Sequence, residues 1–219
     1  MIDDENLSVE PNGPVLTIGV QAFDIKTGEL GPHFYERMDR QLALKYGTPS
    51  ASTIAWWESQ NPVQREEAYD GYQDPCEVAA ALREWFALHS HGGSMVWANG
   101  SCMDIVQLEW WFRQCDPVIG KYGHEYPWKY WNVMDQRTIM FLAGMKMPKD
   151  RPAGIRHHHA LDDARFQVEW VVKAYRKIQG AISGTENLPP TQALRDLMHR
   201  KPVTAPVLPD DPPLNIEVE

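Results

Sequence analysis

The sequence has a deficit of positive charge, few cysteines and no long apolar run. Its 21 Lys and Arg residues against 30 Asp and Glu give a formal net charge of -9, which argues against binding nucleic acid through a broad basic surface. Cys76, Cys102 and Cys115 have no CxxC spacing, so we expect no disulfide framework and a reducing compartment. No apolar run approaches membrane-spanning length, and no signal peptide precedes the first charged residues. We therefore expect a cytoplasmic protein without a membrane partner.

The rest of the composition is sufficient for one substantial core. The chain has 219 residues, of which 43% are hydrophobic, and it includes nine Trp; this fits a single main domain. Beyond Gly180 the composition changes to Pro, Asp and polar residues without periodicity. We predict a domain over residues 1–180 and a C-terminal extension over residues 181–219, which is partly helical and then flexible.

Local patterns predict a mixture of strands and helices. Residues 15–24 are rich in β-formers, with alternate apolar residues on one face, and predict a central strand, whose antiparallel partner is residues 30–38. Residues 39–72 give a mixed pattern that predicts one short helix. Clearer helices are predicted to begin near Pro75, Asp104 and Ala160, where apolar residues recur at helical spacing.

Acidic residues lie at positions where such elements could bring them together. Asp3 and Glu5 share one face if the N-terminus is extended, and paired carboxylates repel each other unless a cation lies between them. Asp104 begins a helix after a strand. Asp163 lies in the first turn of the last helix, with His158 on the preceding loop, as suits a metal ligand beside a proton acceptor. A frayed acidic terminus and a capped surface helix behind a solvated His run are the alternatives.

Three motifs occur in order: Asp3-Asp4-Glu5, the segment 97–104 and the segment 158–164. They resemble D-x-E, W-x-x-G with a following Asp, and H-x-A-L-x-D-A of the DEDDh 3′-5′ exonucleases of the ribonuclease H-like superfamily; the third matches letter for letter. The Trp56-Trp57 pair and residues 135–138 are similar to the branch of bacterial AS-type exoribonucleases and phage exonuclease A. The resemblance implies an α/β fold with a ribonuclease H-like mixed five-stranded sheet flanked by helices, followed here by a Pro-rich C-terminal extension.

The same resemblance implies a metal-dependent 3′-5′ exonuclease that releases nucleoside monophosphates from single-stranded DNA or RNA, or from 3′ overhangs. In that family Asp3, Glu5, Asp104 and Asp163 would hold two Mg²⁺ or Mn²⁺ ions, for which carboxylates are suitable hard ligands. One ion would activate water and the other would stabilise the leaving 3′-oxygen. His158 would accept the proton of the attacking water.

Three further residues are candidates for substrate contact. Leu7 follows motif one, where an apolar side chain of related enzymes presses against the terminal bases, although it could simply be core. Trp57 could stack on a base, but the core is the default for at least one residue of the Trp pair. Arg137 could bind a phosphate, contact a second copy in a homodimer or form a structural ion pair.

Other functions remain open at this stage. The main alternative is a non-catalytic nucleic-acid-binding or partner module that retains the ribonuclease H-like fold. A zinc site built on the His run is disfavoured by the irregular Cys spacing, and we expect His157 and His159 on a solvated loop. A ribonuclease H-type endonuclease is disfavoured by the H-x-A-L-x-D-A motif. The sequence does not choose between DNA and RNA.

Overall fold

The centre of the fold is a mixed sheet of five strands in the order β3-β2-β1-β4-β5. The computed structural model describes residues 1–148, 152 and 154–183. The first three strands form an antiparallel meander, whereas β4 runs parallel to both β1 and β5. The predicted α/β class with a five-stranded mixed sheet and flanking helices is confirmed. The strands are β1 (Ile2–Asn6), β2 (Val15–Phe23), β3 (Leu30–Arg37), β4 (Val96–Ala98) and β5 (Val133–Asp135).

Seven α-helices and one short 3₁₀ helix (Tyr130–Asn132) are present among the described residues. Five of the α-helices begin at a side-chain cap whose oxygen accepts a backbone N–H of the first turn: Asp39, Ser50, Asn61, Asp74 and Asp135. The interval 39–72 contains three helices instead of the single short one predicted, because α1 and α3 are too short to show apolar periodicity. The helices are α1 (Arg40–Ala43), α2 (Ala51–Ser59), α3 (Pro62–Tyr69), α4 (Pro75–His89), α5 (Asp104–Cys115), α6 (Gln136–Leu142) and α7 (Ala160–Ser183).

Strand β2 lies in the middle of the meander and is buried on both faces from Val15 to Gln21. It is therefore central, as predicted. The prediction that only one of its faces is buried is wrong for most of its length. On one face, Ile18 and Val20 join a core cluster with residues of α4 and α5. On the other, α7 begins so close to the strand that a Cβ at Gly19 would lie 2.2 Å from the Leu161 nitrogen. Glycine at this position therefore lets the helix lie against the sheet.

Helix α7 is fixed to the sheet by one apolar stripe. Ala164, Val168 and Val171 are buried and pack with Met1 and Trp97, as the helical spacing predicts. Full burial of a single Val stabilises the fold by about 1.5–3 kcal/mol. The first turns of α7 are thus held firmly, and those turns carry motif three.

Residues Met1–Ala181 form one compact unit. Residues 184–219, which make up most of the predicted C-terminal extension, lie outside the described residues, so the boundary between residues 180 and 181 stays a prediction. Within the part of the chain that is described, no helix combines the length and the apolar character needed to cross a bilayer.

Candidate active site

A cleft of about 510 Å³ opens beside β1 and the carboxyl end of β4. It contains all five residues that the sequence predicts for catalysis, namely Asp3, Glu5, Asp104, His158 and Asp163. Arg137 also lines the cleft, whereas Leu7 and Trp57 do not. Residues from the first strand, the middle of the chain and the last helix therefore meet in one volume.

Strand β1 directs Asp3 and Glu5 to the same face, toward the start of α7. The side-chain amide of Gln167 on α7 donates to Asp3 Oδ1 at 2.5 Å. Burial raises the pKa of Asp3 well above its usual value, and the charges of Asp104, Asp163 and Glu5 raise it further. Asp3 thus lies within electrostatic range of the other three carboxylates.

Asp104 is held at the start of α5 by the loop that follows β4. The Gly100 N–H donates to Asp104 Oδ2 at 3.2 Å. Burial raises the pKa of Asp104 to about 6, although the Gly100 bond and the charge of Arg137 act in the opposite direction. The Ser101 N–H donates to Asp135 Oδ2 at 3.0 Å, so the end of β5 fixes the loop that carries the second motif.

His158 lies on a constrained turn immediately before α7. Its φ is 56°, and among the described residues it is the only non-glycine residue with a left-handed backbone. This conformation costs about 1–2 kcal/mol. Its N–H donates to Asp163 Oδ2 at 3.1 Å, and a hydrogen bond to a charged acceptor contributes about 1.5–3 kcal/mol. Asp163 therefore offsets the strain and holds the imidazole over the cleft.

The imidazole and two carboxylates form a compact group of metal-ligating atoms. His158 Nδ1 lies 4.0 Å from Glu5 Oε1, and one ligand atom each from Glu5, His158 and Asp163 lie within 4.8 Å of one another. With Asp3 and Asp104 beside them, the donors are mainly hard carboxylate oxygens, which fit Mg²⁺ or Mn²⁺ better than a soft metal. Among the described residues this group includes no cysteine.

The aromatic wall of the cleft is Trp56, not Trp57. Trp56 is 41% exposed, lines the cleft and meets the His158 ring edge to face, with centroids 4.9 Å apart. Trp57 is 1% exposed and its Nε1–H donates to the Asn6 carbonyl at 2.8 Å. Leu7 packs with Trp57 in a core cluster. The prediction that Leu7 and Trp57 contact the substrate is therefore wrong, because both side chains are buried and have no surface that a substrate could reach.

The His run is not a uniformly solvated loop. His159 is 3% exposed and stacks on Tyr35 with ring centroids 4.3 Å apart, so the prediction of a solvated position is wrong for this residue. Its Nε2 lies 3.5 Å from Glu67 Oε1, and burial lowers the pKa of the imidazole. The His159 ring thus anchors the motif-three loop to β3 and α3, and it does not line the cleft.

Sequence reasoning missed two buried polar residues of the site. Gln167 is 2% exposed and contacts Asp3, yet no short motif marks it. Asp4 is 5% exposed and accepts a hydrogen bond from Asn6 Nδ2 at 3.2 Å. Burial, and then the charge of Asp104, raise the pKa of Asp4 well above its usual value. The alternation of β1 marked Asp3 and Glu5 but did not show that Asp4 is buried too.

Comparison with known families identifies the fold and the class of activity. Residues 1–175 match the family model described as the 3'-5' exoribonuclease Rv2179c-like domain. The chain belongs to this family. The predicted membership of the ribonuclease H-like 3′-5′ exonucleases is thereby confirmed, and the matched range of the Rv2179c-like domain includes all three motifs. A solved structure described as a full-length 3'-exonuclease is similar at a TM-score of 0.46 and 15% identity, over 80% of each chain. No curated protein matches.

Proposed function

We propose that this member of the Rv2179c-like family is a DEDDh enzyme that removes nucleoside monophosphates from the 3′ end of single-stranded nucleic acid. The observation that carries the proposal is the convergence of Asp3, Glu5, Asp104 and Asp163 with His158 on one cleft. The family description names an exoribonuclease, so RNA is the first substrate to test, with DNA as the alternative.

Two divalent cations are the proposed cofactors, with Mg²⁺ or Mn²⁺ as candidates. Asp3 is the best candidate for a shared ligand, because the other three carboxylates all act on its pKa. Glu5, Asp104 and Asp163 would complete the two sets of ligands. When bound, the ions would activate a water molecule and stabilise the negative charge of the leaving 3′-oxygen.

His158 is the proposed proton acceptor for the attacking water. An imidazole titrates near neutral pH and can therefore take up and release a proton under cellular conditions. The edge-to-face contact with Trp56 and the backbone bond to Asp163 restrict the ring, which lines the cleft. A general base of this kind contributes about 10²–10⁴-fold to a rate.

Arg137 and Trp56 are the proposed substrate contacts. Arg137 is exposed and lines the cleft beside Gly100, where an added Cβ would lie 3.2 Å from a guanidinium nitrogen. Its planar donors match the geometry of a phosphate. The exposed face of Trp56 could stack on the terminal base. A homodimer remains a second proposal for Arg137, since the same exposed guanidinium could contact a partner subunit.

A direct assay tests the proposal. Matched 5′-labelled single-stranded RNA and DNA are incubated with Mg²⁺, Mn²⁺ or EDTA, beside the Asp163→Asn variant. We expect a ladder of 3′-shortened products that requires metal and Asp163, and the faster substrate identifies the preferred sugar. Binding without any shortening of either substrate would instead favour the non-catalytic module. Cleavage of a circular substrate would indicate an endonuclease.

A further inference from the structure

A group of lysines and aromatic rings forms an exposed patch at the end of the sheet where β5 begins. We propose that this patch binds a single-stranded nucleic acid on the 5′ side of the nucleotide held in the cleft. The cation–aromatic patch consists of Lys121, Tyr122, Lys129, Tyr130 and Trp131. It shares no residue with the lining of the cleft. The identity of its ligand rests on the proposed function, since the enzyme must hold the strand that it shortens.

Two of the aromatic rings are open to solvent. Tyr130 is 62% exposed and Trp131 is 56% exposed, and their centroids lie 4.7 Å apart with an interplanar angle of 89°. Tyr126 and Trp128 of the same segment are buried at 6% and 3%, so the segment separates anchoring rings from exposed ones. Exposed aromatic faces bind bases without regard to sequence, because every base has a π-face.

The lysines give the patch a positive charge in an acidic protein. Lys129 Nζ lies 5.0 Å from the Tyr122 ring centre and 5.4 Å from that of Trp131, and Lys121 Nζ lies 5.0 Å from Tyr122. Neither lysine has an ion pair with a carboxylate of the described residues.

Two carboxylates of the same stretch of chain already have cationic partners. Glu125 Oε2 lies 3.7 Å from Arg113 Nε, and Asp116 forms an ion pair with Arg83. With a net charge of -9 on the whole chain, a polyanion is attracted only where cations are locally in excess. The patch meets this condition and adds stacking surfaces beside the charges, a combination that is typical of sites for single strands.

The segment that carries the patch is anchored before any ligand binds. Trp128 Nε1–H donates to Glu109 Oε1 at 3.0 Å. Asn132 Nδ2–H donates to the carbonyls of Gly92 and Ser94 at 3.2 and 2.9 Å. Because the backbone is already fixed, a ligand would not have to order it, and less affinity is lost on binding.

The position of the patch predicts how long a substrate must be to reach it. Strand β5 lies between the patch and Arg137 at the cleft, and Arg137 is six positions after Trp131. At about 3.3 Å per residue this path is at most about 20 Å long. Stacked nucleotides rise about 3.4 Å each, so about six stacked nucleotides are enough to cover the whole path, and three cover about half of it.

Binding measurements with oligonucleotides of different length test the proposal. Fluorescein-labelled oligoadenylates of 3 and 20 nucleotides are titrated in EDTA by fluorescence anisotropy. The variants are Trp131→Ala and the double variant Lys121→Gln/Lys129→Gln, in which Lys121 is exposed and Lys129 is half-buried. Matched controls are Tyr72→Ala, which removes an aromatic ring that is 77% exposed elsewhere, and Lys177→Gln on α7.

We expect each patch variant to raise the Kd of the 20-mer about tenfold and to leave that of the trinucleotide within twofold. The double lysine variant should also reduce the salt dependence of log Kd by about 1.4, which is about 0.7 for each lost phosphate contact. A 20-mer Kd within twofold of wild type in both variants would overturn the proposal and assign the patch to another partner. If the wild-type protein binds the 20-mer through the patch but shortens no substrate, only the proposed catalysis fails.

Discussion

Asp163 is predicted to have two separable roles, and a pair of substitutions distinguishes them. As a ligand, its charge would help to hold the divalent cations beside Asp3. As a hydrogen-bond acceptor, its Oδ2 holds the N–H of His158 at 3.1 Å. Asp163→Asn removes the charge and keeps an acceptor oxygen of the same shape. Asp163→Ala removes both, so the difference between the two variants isolates the hydrogen bond.

The expected magnitudes follow from these contacts. Both variants should lose at least about 10³-fold in turnover, equal to about 4 kcal/mol of transition-state stabilisation, because a metal ligand is lost. Without metal, Asp163→Ala should be less stable than Asp163→Asn by about 1–3 kcal/mol, since the strained His158 backbone loses its acceptor. In EDTA, the free energy of unfolding of Asp163→Asn should equal or exceed that of the wild type, because the substitution relieves the repulsion that raises the pKa of Asp3.

The assay combines turnover with urea unfolding in EDTA and in excess Mg²⁺. A ligand at 100 times its Kd stabilises the wild type by about 2.7 kcal/mol, and this increment should disappear in both variants. Circular dichroism before unfolding checks that each variant is folded. Near-normal turnover in Asp163→Asn would refute the reasoning that this carboxylate holds a catalytic metal. Equal stability of the two variants in EDTA would refute the second role.

Three further predictions address other residues of the cleft. His158→Ala should lose about 10²–10⁴-fold in rate but keep the oligonucleotide affinity within about threefold; a loss of affinity alone in a binding titration would indicate a structural role. Trp56→Ala should raise KM more than Trp56→Phe does, because only the alanine variant loses the stacking energy of about 1–3 kcal/mol per base. Equal KM values in the two variants would contradict this. The pKa of Asp104 is about 6, against an ordinary value of 3.8, so its stabilising contribution is complete below pH 3.8 and is lost as the pH rises through 6. In EDTA, Asp104→Asn should therefore be more stable than the wild type between pH 4 and pH 7, by up to about 3 kcal/mol. Asp135→Asn is the control and should show no such gain. Hydrogen bonds lower the pKa of Asp135, although its burial acts in the opposite direction.

The parts of the site that could be predicted from sequence are those fixed by local periodicity. The stripe Ala164, Val168 and Val171 requires a helix with one buried face, and this places Asp163 in its first turn. Likewise, alternation along β1 is enough to put Asp3 and Glu5 on one side of a strand. These residues depend on backbone geometry that each segment sets by itself.

The parts that could not be predicted depend on which surface a neighbouring element covers. Successive helical residues point about 100° apart, so one member of the Trp56-Trp57 pair had to face away from the core, but α2 is apolar on several sides and does not show which. The burial of His159 results from β3 and α3, since Tyr35 and Glu67 are far away in sequence. Gln167 differs from any other glutamine only because Asp3 lies opposite it.

The buried carboxylates of the cleft destabilise the fold when no metal is bound. At neutral pH the ionised form of Asp104 is disfavoured by about 3 kcal/mol, from its pKa of about 6 against 3.8, which is a large fraction of the 5–15 kcal/mol that typically stabilises a folded domain. Asp3 and Asp4 are disfavoured in the same direction. The buried apolar stripe of α7 offsets part of this loss, because it forces motif three against β1. The repulsion that remains can be relieved by cations, so the same interaction that makes the metal-free site unstable provides the free energy with which it would bind them.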